Sequence, residues 1–208
     1  MSRGVHHRIH ASDRAQRTRR RVAQEAARLM SEQGIRDFRH AKTKAASRLG
    51  VGDEQFLPRN REVEQALREH QRLFQGDNQS QVLRHLRQAA SEAMAFFACF
   101  HPRLVGSVLT GTADQHSAVC LHLFTDEPET LLAFLADHGI PFSETSRRLR
   151  MTRNEYRDML VLEVMADHVP FQLTVLPRSA QRQPPLDRID EKPMAGASLH
   201  GVQTLLDE

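Results

Sequence analysis

Residues 106–126 read GSVLTGTADQHSAVCLHLFTD, and this stretch decides the fold. Its first half is a Gly-Ser pair followed by a polar loop containing Gly, Thr and Asp, residues that tolerate tight turns. Its second half alternates, so that Ala118, Cys120, His122 and Phe124 share one face of an extended chain. A strand entered from a loop is expected here.

Upstream, the apolar spacing is helical. Val82, Leu83, Leu86, Ala90, Ala93, Met94 and Phe97 form one continuous stripe, which predicts a long helix after a turn at 75–78. Before it, residues 61–74 place Val63, Ala66, Leu67, His70, Leu73 and Phe74 at helical spacing, and 36–51 reads as a short helix stopped by Gly50. The run 13–33 predicts a helix with Ser12 as N-cap, burying Val22, Ala26, Leu29 and Met30. Downstream the period falls to two. Residues 103–111 read as a strand into a turn, 127–139 as a helix closed by Gly139, and 143–151, 156–165 and 169–176 as strands, the last two joined by Ala166, Asp167 and His168 in a hairpin. A polar, proline-bearing stretch, 177–193, predicts an exposed linker before a short C-terminal helix in 197–206.

The order is long helix, strand ending in Gly-Ser, loop, strand, helix, and a hairpin containing HVPFQL. It resembles the nucleotidyltransferase (polymerase beta-like) superfamily over residues 78–177. The resemblance implies an α+β fold in which a helical N-terminal region packs on a small mixed sheet. It also implies that Gly106 and Ser107 approach nucleotide phosphates, with Ser117 opening the second motif. In that family two aspartates one strand step apart, and a third carboxylate on a later strand, hold the metal ions; here those positions carry Ala118, Cys120 and Gln172. Magnesium bridging a triphosphate needs hard anionic oxygens. Alanine offers no ligand, a thiol is too soft, and a glutamine carbonyl has no net charge. The expectation is therefore a catalytically degenerate protein without metal or other cofactor, which binds a nucleotide or a polyanionic partner. The alternatives are an active transferase using magnesium through displaced acids, Asp114, Asp126 or Glu163, and a purely structural or regulatory protein. For Gly106 and Ser107 a plain turn is as good a reading as a phosphate contact. Asp126 and Asp167 suit cap or turn roles, and Glu163 an outward strand position.

Other chemistry is poorly supported. Cys120, His122 and His116 are too few for structural zinc and follow no zinc spacing. KAASRLGV at 44–51 faintly resembles a helix-turn-helix opening, but GDEQFL and Pro58 leave no uninterrupted recognition helix behind it.

Charge divides the chain. Residues 1–50 carry thirteen Lys and Arg against four Asp and Glu, whereas the remainder is net acidic, and the whole chain of 208 residues is +3. Arg14, Arg17, Arg21 and Arg28 line one edge of the first predicted helix. They suit nucleic-acid phosphates without reading sequence, or else form an ordinary solvated face. Three segments follow: a basic helical region over 1–77, the α+β domain over 78–177, and the linker and helix over 178–208. No apolar run has membrane-spanning length and no secretory leader is evident, so a cytoplasmic protein without a membrane partner is expected. The arginine-rich, acid-poor start is that of a mitochondrial transit peptide, but Asp13 and Glu25 argue against one. Two cysteines, Cys99 and Cys120, both in apolar surroundings, suit a reducing compartment. Oligomeric state is left open.

Overall fold

The computed structural model describes the backbone of residues 3–35, 37–74, 76–187 and 192–207, and the side chains of these outside 3–13, 54, 72–74 and 76–78. The chain is α+β and divides into two compact units, residues 1–76 and 77–208.

The first unit is helical: α1 (Arg3–Gln33), α2 (Phe38–Arg48) and α3 (Asn60–Phe74). Val22, Ala26, Leu29 and Met30 are buried as the spacing predicts, among Ala41, Ala45 and Ala46 of α2 and Val63 and Leu67 of α3. Alanines at the contact let the helix backbones approach closely. Helix α1 begins well before the expected cap, because no proline interrupts residues 3–33 and the backbone is already helical at Ser12, whose side chain lies outside the described residues. Helix α2 is capped by Asp37, whose Oδ1 accepts the His40 N–H at 2.7 Å, and beyond its end lies Gly50 at φ 66°. The side chains of Leu73 and Phe74, expected on the apolar face of α3, lie outside the described residues.

The second unit opens with α4 (Gly76–Phe96), so helix replaces the expected turn from Gly76 onward, and Gln75 lies outside the described residues. Then come β1 (Arg103–Val105), a single helical turn α5 (Ser107–Thr110), β2 (Val119–Phe124) and α6 (Pro128–Asp137). Three strands follow, β3 (Phe142–Arg150), β4 (Tyr156–Ala166) and β5 (Val169–Leu176), and the chain ends in α7 (Leu199–Asp207). They make one five-stranded mixed sheet in the order β1-β2-β5-β4-β3, in which only β2 and β5 run parallel. Asp167 and His168, at φ 47° and 64°, join β4 to β5 in a tight hairpin of the type I′ class, whose two central residues need positive φ.

One face of the sheet carries Leu104, Val119, Leu121, Leu123, Leu162 and Leu173, all fully buried in the core with Leu86, Ala90 and Met94 of α4 and Leu131 and Leu135 of α6. On the other face Phe124, Leu149, Leu176 and Ala180 cluster at one end, while Cys120 and Gln172 are half-buried and Glu163 is exposed. The C-terminal residues return to this unit. Ala197 exchanges both backbone hydrogen bonds with Leu104, at 3.0 and 2.9 Å, and Val202 of α7 is buried in the main core. The stretch expected as an exposed linker is also tied in, since Leu186 N–H donates to Arg150 O at 2.7 Å; residues 188–191 lie outside the described residues. Cys99 is exposed rather than apolar in its surroundings, because α4 stops at Phe96 and Cys99 falls in the 3-10 turn after it.

Candidate functional site

All five strands bring one residue each into a single row. Val105 pairs with Cys120, Cys120 with Gln172, Gln172 with Glu163, and Glu163 with Ser143. Directly opposed residues point to the same side of a sheet, so Cys120, Gln172 and Glu163 share the partly uncovered face. The Cys120 Sγ lies 3.9 Å from Gln172 Oε1, and Gln172 Nε2 donates to Glu163 Oε1 at 3.3 Å. Ala118 sits immediately before β2, its carbonyl oxygen 3.7 Å from Cys120 Sγ. The three neutral residues at the expected carboxylate positions are thus brought together.

Gly106 closes the row's end. It leaves β1 at φ 75° and ψ −154°, a conformation essentially restricted to glycine, and turns the chain into α5. A Cβ built there would lie 3.7 Å from Cys120 Cβ, an ordinary contact, so backbone conformation and not crowding demands glycine. Ser107 is half-buried at the start of that helical turn, with its carbonyl accepting the Thr112 N–H at 3.0 Å. Ser117 is buried and faces its own loop: its hydroxyl accepts the Asp114 N–H at 2.9 Å and lies 3.2 Å from Asp114 Oδ1.

The fallback acids separate cleanly. Asp114 is buried and shapes the loop, its Oδ1 also accepting the His116 N–H at 2.9 Å. Asp126 lies beyond the far end of β2, where its Oδ1 accepts the Arg178 N–H at 3.0 Å. Only Glu163 belongs to the row with Cys120 and Gln172.

A cation that the sequence reading missed completes the cluster. Arg147 stands on the edge strand β3 on the same face, and its Nη2 reaches across β4 to donate to Gln172 Oε1 at 2.8 Å. The available signal was its spacing from Leu149, the single buried residue of β3, which puts the two side chains on one face. Arg147 also bears on His122, which is 5 % exposed on the same face of β2. Burial, and then the nearby guanidinium, push the His122 pKa down to about 4, so the ring is neutral at pH 7.

In the first unit Arg14, Arg17 and Arg21 are exposed along α1, and no hydrogen bond or ion pair engages them among the described residues. Arg28 differs. It pairs with Glu25 at 2.8 Å and with Glu32 at 3.4 Å, and Glu25, its carboxyl held below the ordinary carboxylate pKa first by Arg28, also bonds Arg48 at 3.2 Å.

On the opposite face of the sheet an apolar cavity of about 510 Å³ lies between α4 and the β4–β5 hairpin, lined by Ala89, Ala93, Phe97, Val164 and Phe171. It holds none of the site residues expected from the sequence. Among the described residues, no helix is long and apolar enough to cross a membrane. Compared with known proteins, the chain matches no protein-family model, and no curated protein or solved structure is significantly similar to it.

Proposed function

We propose that the second unit is a nucleotidyltransferase-like domain that has lost its metal carboxylates and acts by binding a nucleotide or another oligophosphate. One observation carries the reading. Ala118, Cys120 and Gln172, singled out by the family resemblance, converge at the adjacent parallel strands β2 and β5 beside the glycine that starts the phosphate-type loop. Magnesium does not fit this donor set. A thiol, an amide oxygen already engaged by a guanidinium, and a methyl group supply no charged oxygen. The residues that remain can position and bind. Gly106 sets the loop, and Ser107 offers a hydroxyl at its start.

The test is incubation of the full chain with labelled nucleoside triphosphates, magnesium or manganese, and RNA, protein and small-molecule acceptors. No transfer is expected, whereas equilibrium binding of a triphosphate is. Metal-dependent incorporation that disappears on Glu163→Gln and persists on Cys120→Ser would favour the enzyme alternative, for which the place of Glu163 beside Gln172 is the supporting observation.

A second binding role is supported by α1. Arg14, Arg17 and Arg21 form an exposed row without counter-ions among the described residues, suited to the evenly charged backbone of a nucleic acid.

A further inference from the structure

We infer that Arg147 takes over the electrostatic role of the missing metal, making the Gly106–Cys120–Gln172 site a metal-independent receptor for an oligophosphate. The inference rests on the binding reading above and adds to it the cation, the ligand's charge class and the direction of the magnesium effect.

The contacts run without a break. Gly106 abuts Cys120, the Cys120 sulfur is 3.9 Å from Gln172 Oε1, and Arg147 Nη2 is 2.8 Å from that same oxygen. A guanidinium therefore sits at the position where a carboxylate would have drawn a divalent ion. Arginine stays protonated at any physiological pH, and its planar fork suits phosphate oxygens.

The identity of residue 172 matters as much as the arginine. An aspartate there would pair with Arg147 and cancel its charge. A glutamine accepts one hydrogen bond through a neutral oxygen, so the guanidinium is oriented while its charge stays available for a ligand. The amide's other end donates to Glu163 Oε1 at 3.3 Å, which fixes the amide orientation, and among the described residues no ion pair joins Glu163 to Arg147. Among the described residues the guanidinium makes no other hydrogen bond and no ion pair. Beneath it His122 is neutral and does not compete as a cation.

A site built on a fixed guanidinium prefers the free oligophosphate to its magnesium complex, because the bound ion removes ligand charge and repels the arginine. The experiment is titration calorimetry of the full chain with ATP and with inorganic tripolyphosphate, each in EDTA and in excess magnesium. The variants are Arg147→Gln, Gln172→Asp and Arg148→Gln, each checked for fold by circular dichroism. Arg148 is the control, since it lies next in the strand and points to the other face.

The parent is expected to bind in EDTA and more weakly with magnesium. Arg147→Gln and Gln172→Asp should each lose roughly tenfold or more in affinity, the scale of a charge-assisted hydrogen bond, while Arg148→Gln stays within about twofold. Similar affinities for ATP and tripolyphosphate would identify the phosphates as the whole determinant, and a preference for ATP would add a base contact. Binding by the parent that survives Arg147→Gln overturns the role of Arg147 and leaves the binding reading standing. Binding that requires magnesium overturns the metal-independent site and favours the enzyme alternative. No binding of either ligand by the parent overturns both.

Discussion

Cys120 and Gln172 stand opposite one another on the parallel pair of strands, sulfur to amide oxygen 3.9 Å, at positions to which the nucleotidyltransferase resemblance assigns carboxylates. Introducing carboxylates at these positions tests the proposed reading. The combination Ala118→Asp, Cys120→Asp, Gln172→Asp and Arg147→Gln should bind manganese, read by electron paramagnetic resonance, where the parent binds none. If it gains no manganese, the three positions do not converge on a metal-sized space.

His122 makes stability depend on pH. Its folded pKa of about 4 lies below the ordinary 6.5, so below 6.5 the unfolded chain takes up a proton that the folded chain refuses. Its contribution is fully present above pH 6.5 and is lost as pH falls towards 4, a total of about 3 kcal/mol. Urea melts between pH 7 and 4 should show a shallower decline for His122→Leu than for the parent. Parallel curves would mean that the ring takes up a proton as readily in the folded chain as in the unfolded one.

Gly106→Ala should destabilise by about 1–3 kcal/mol although its Cβ has room, because the strain lies in the backbone angles. Gly139→Ala, at φ 64° with open space around it, should cost less, about 1 kcal/mol. Chemical denaturation of the two variants gives the comparison.

Ala197→Pro removes the N–H that donates to Leu104 O at 2.9 Å and should cost about 1–3 kcal/mol. Hydrogen exchange at the amide of Leu104 should quicken at the same time, since its acceptor is Ala197 O.

Arg14, Arg17 and Arg21 changed together to Gln should flatten the slope of log affinity for duplex DNA against log salt, by about 0.9 for each phosphate the variant no longer neutralises. Arg28→Gln should leave the slope unchanged, because Glu25 and Glu32 already neutralise that side chain.

Local periodicity made the elements readable. The alternation at Cys120, His122 and Phe124 fixes β2, and the stripe from Val82 to Phe97 fixes α4, since each pattern is set by the element's own geometry. What escaped reading depends on distant neighbours. Nothing local says that Arg147 crosses a strand to reach Gln172, that Ala197 pairs with Leu104, or that Asp126 rather than Glu163 is drawn away from the row. The family resemblance pointed to Cys120 and Gln172, but the cation beside Gln172 came only with the sheet order.

The pairing of Leu104 with Ala197, and of Cys120 with Gln172, makes the second unit depend on contacts between distant parts of the chain. Helices α1 and α2, joined by residues 34–37, pair as near neighbours, and such local contacts form fast. The sheet cannot close until partners far apart in the chain have met, which is slow and leaves strand edges open meanwhile. During synthesis α1 and α2 are therefore expected to pair, with Arg14, Arg17 and Arg21 already displayed on α1, while β1 still waits for its outer partner.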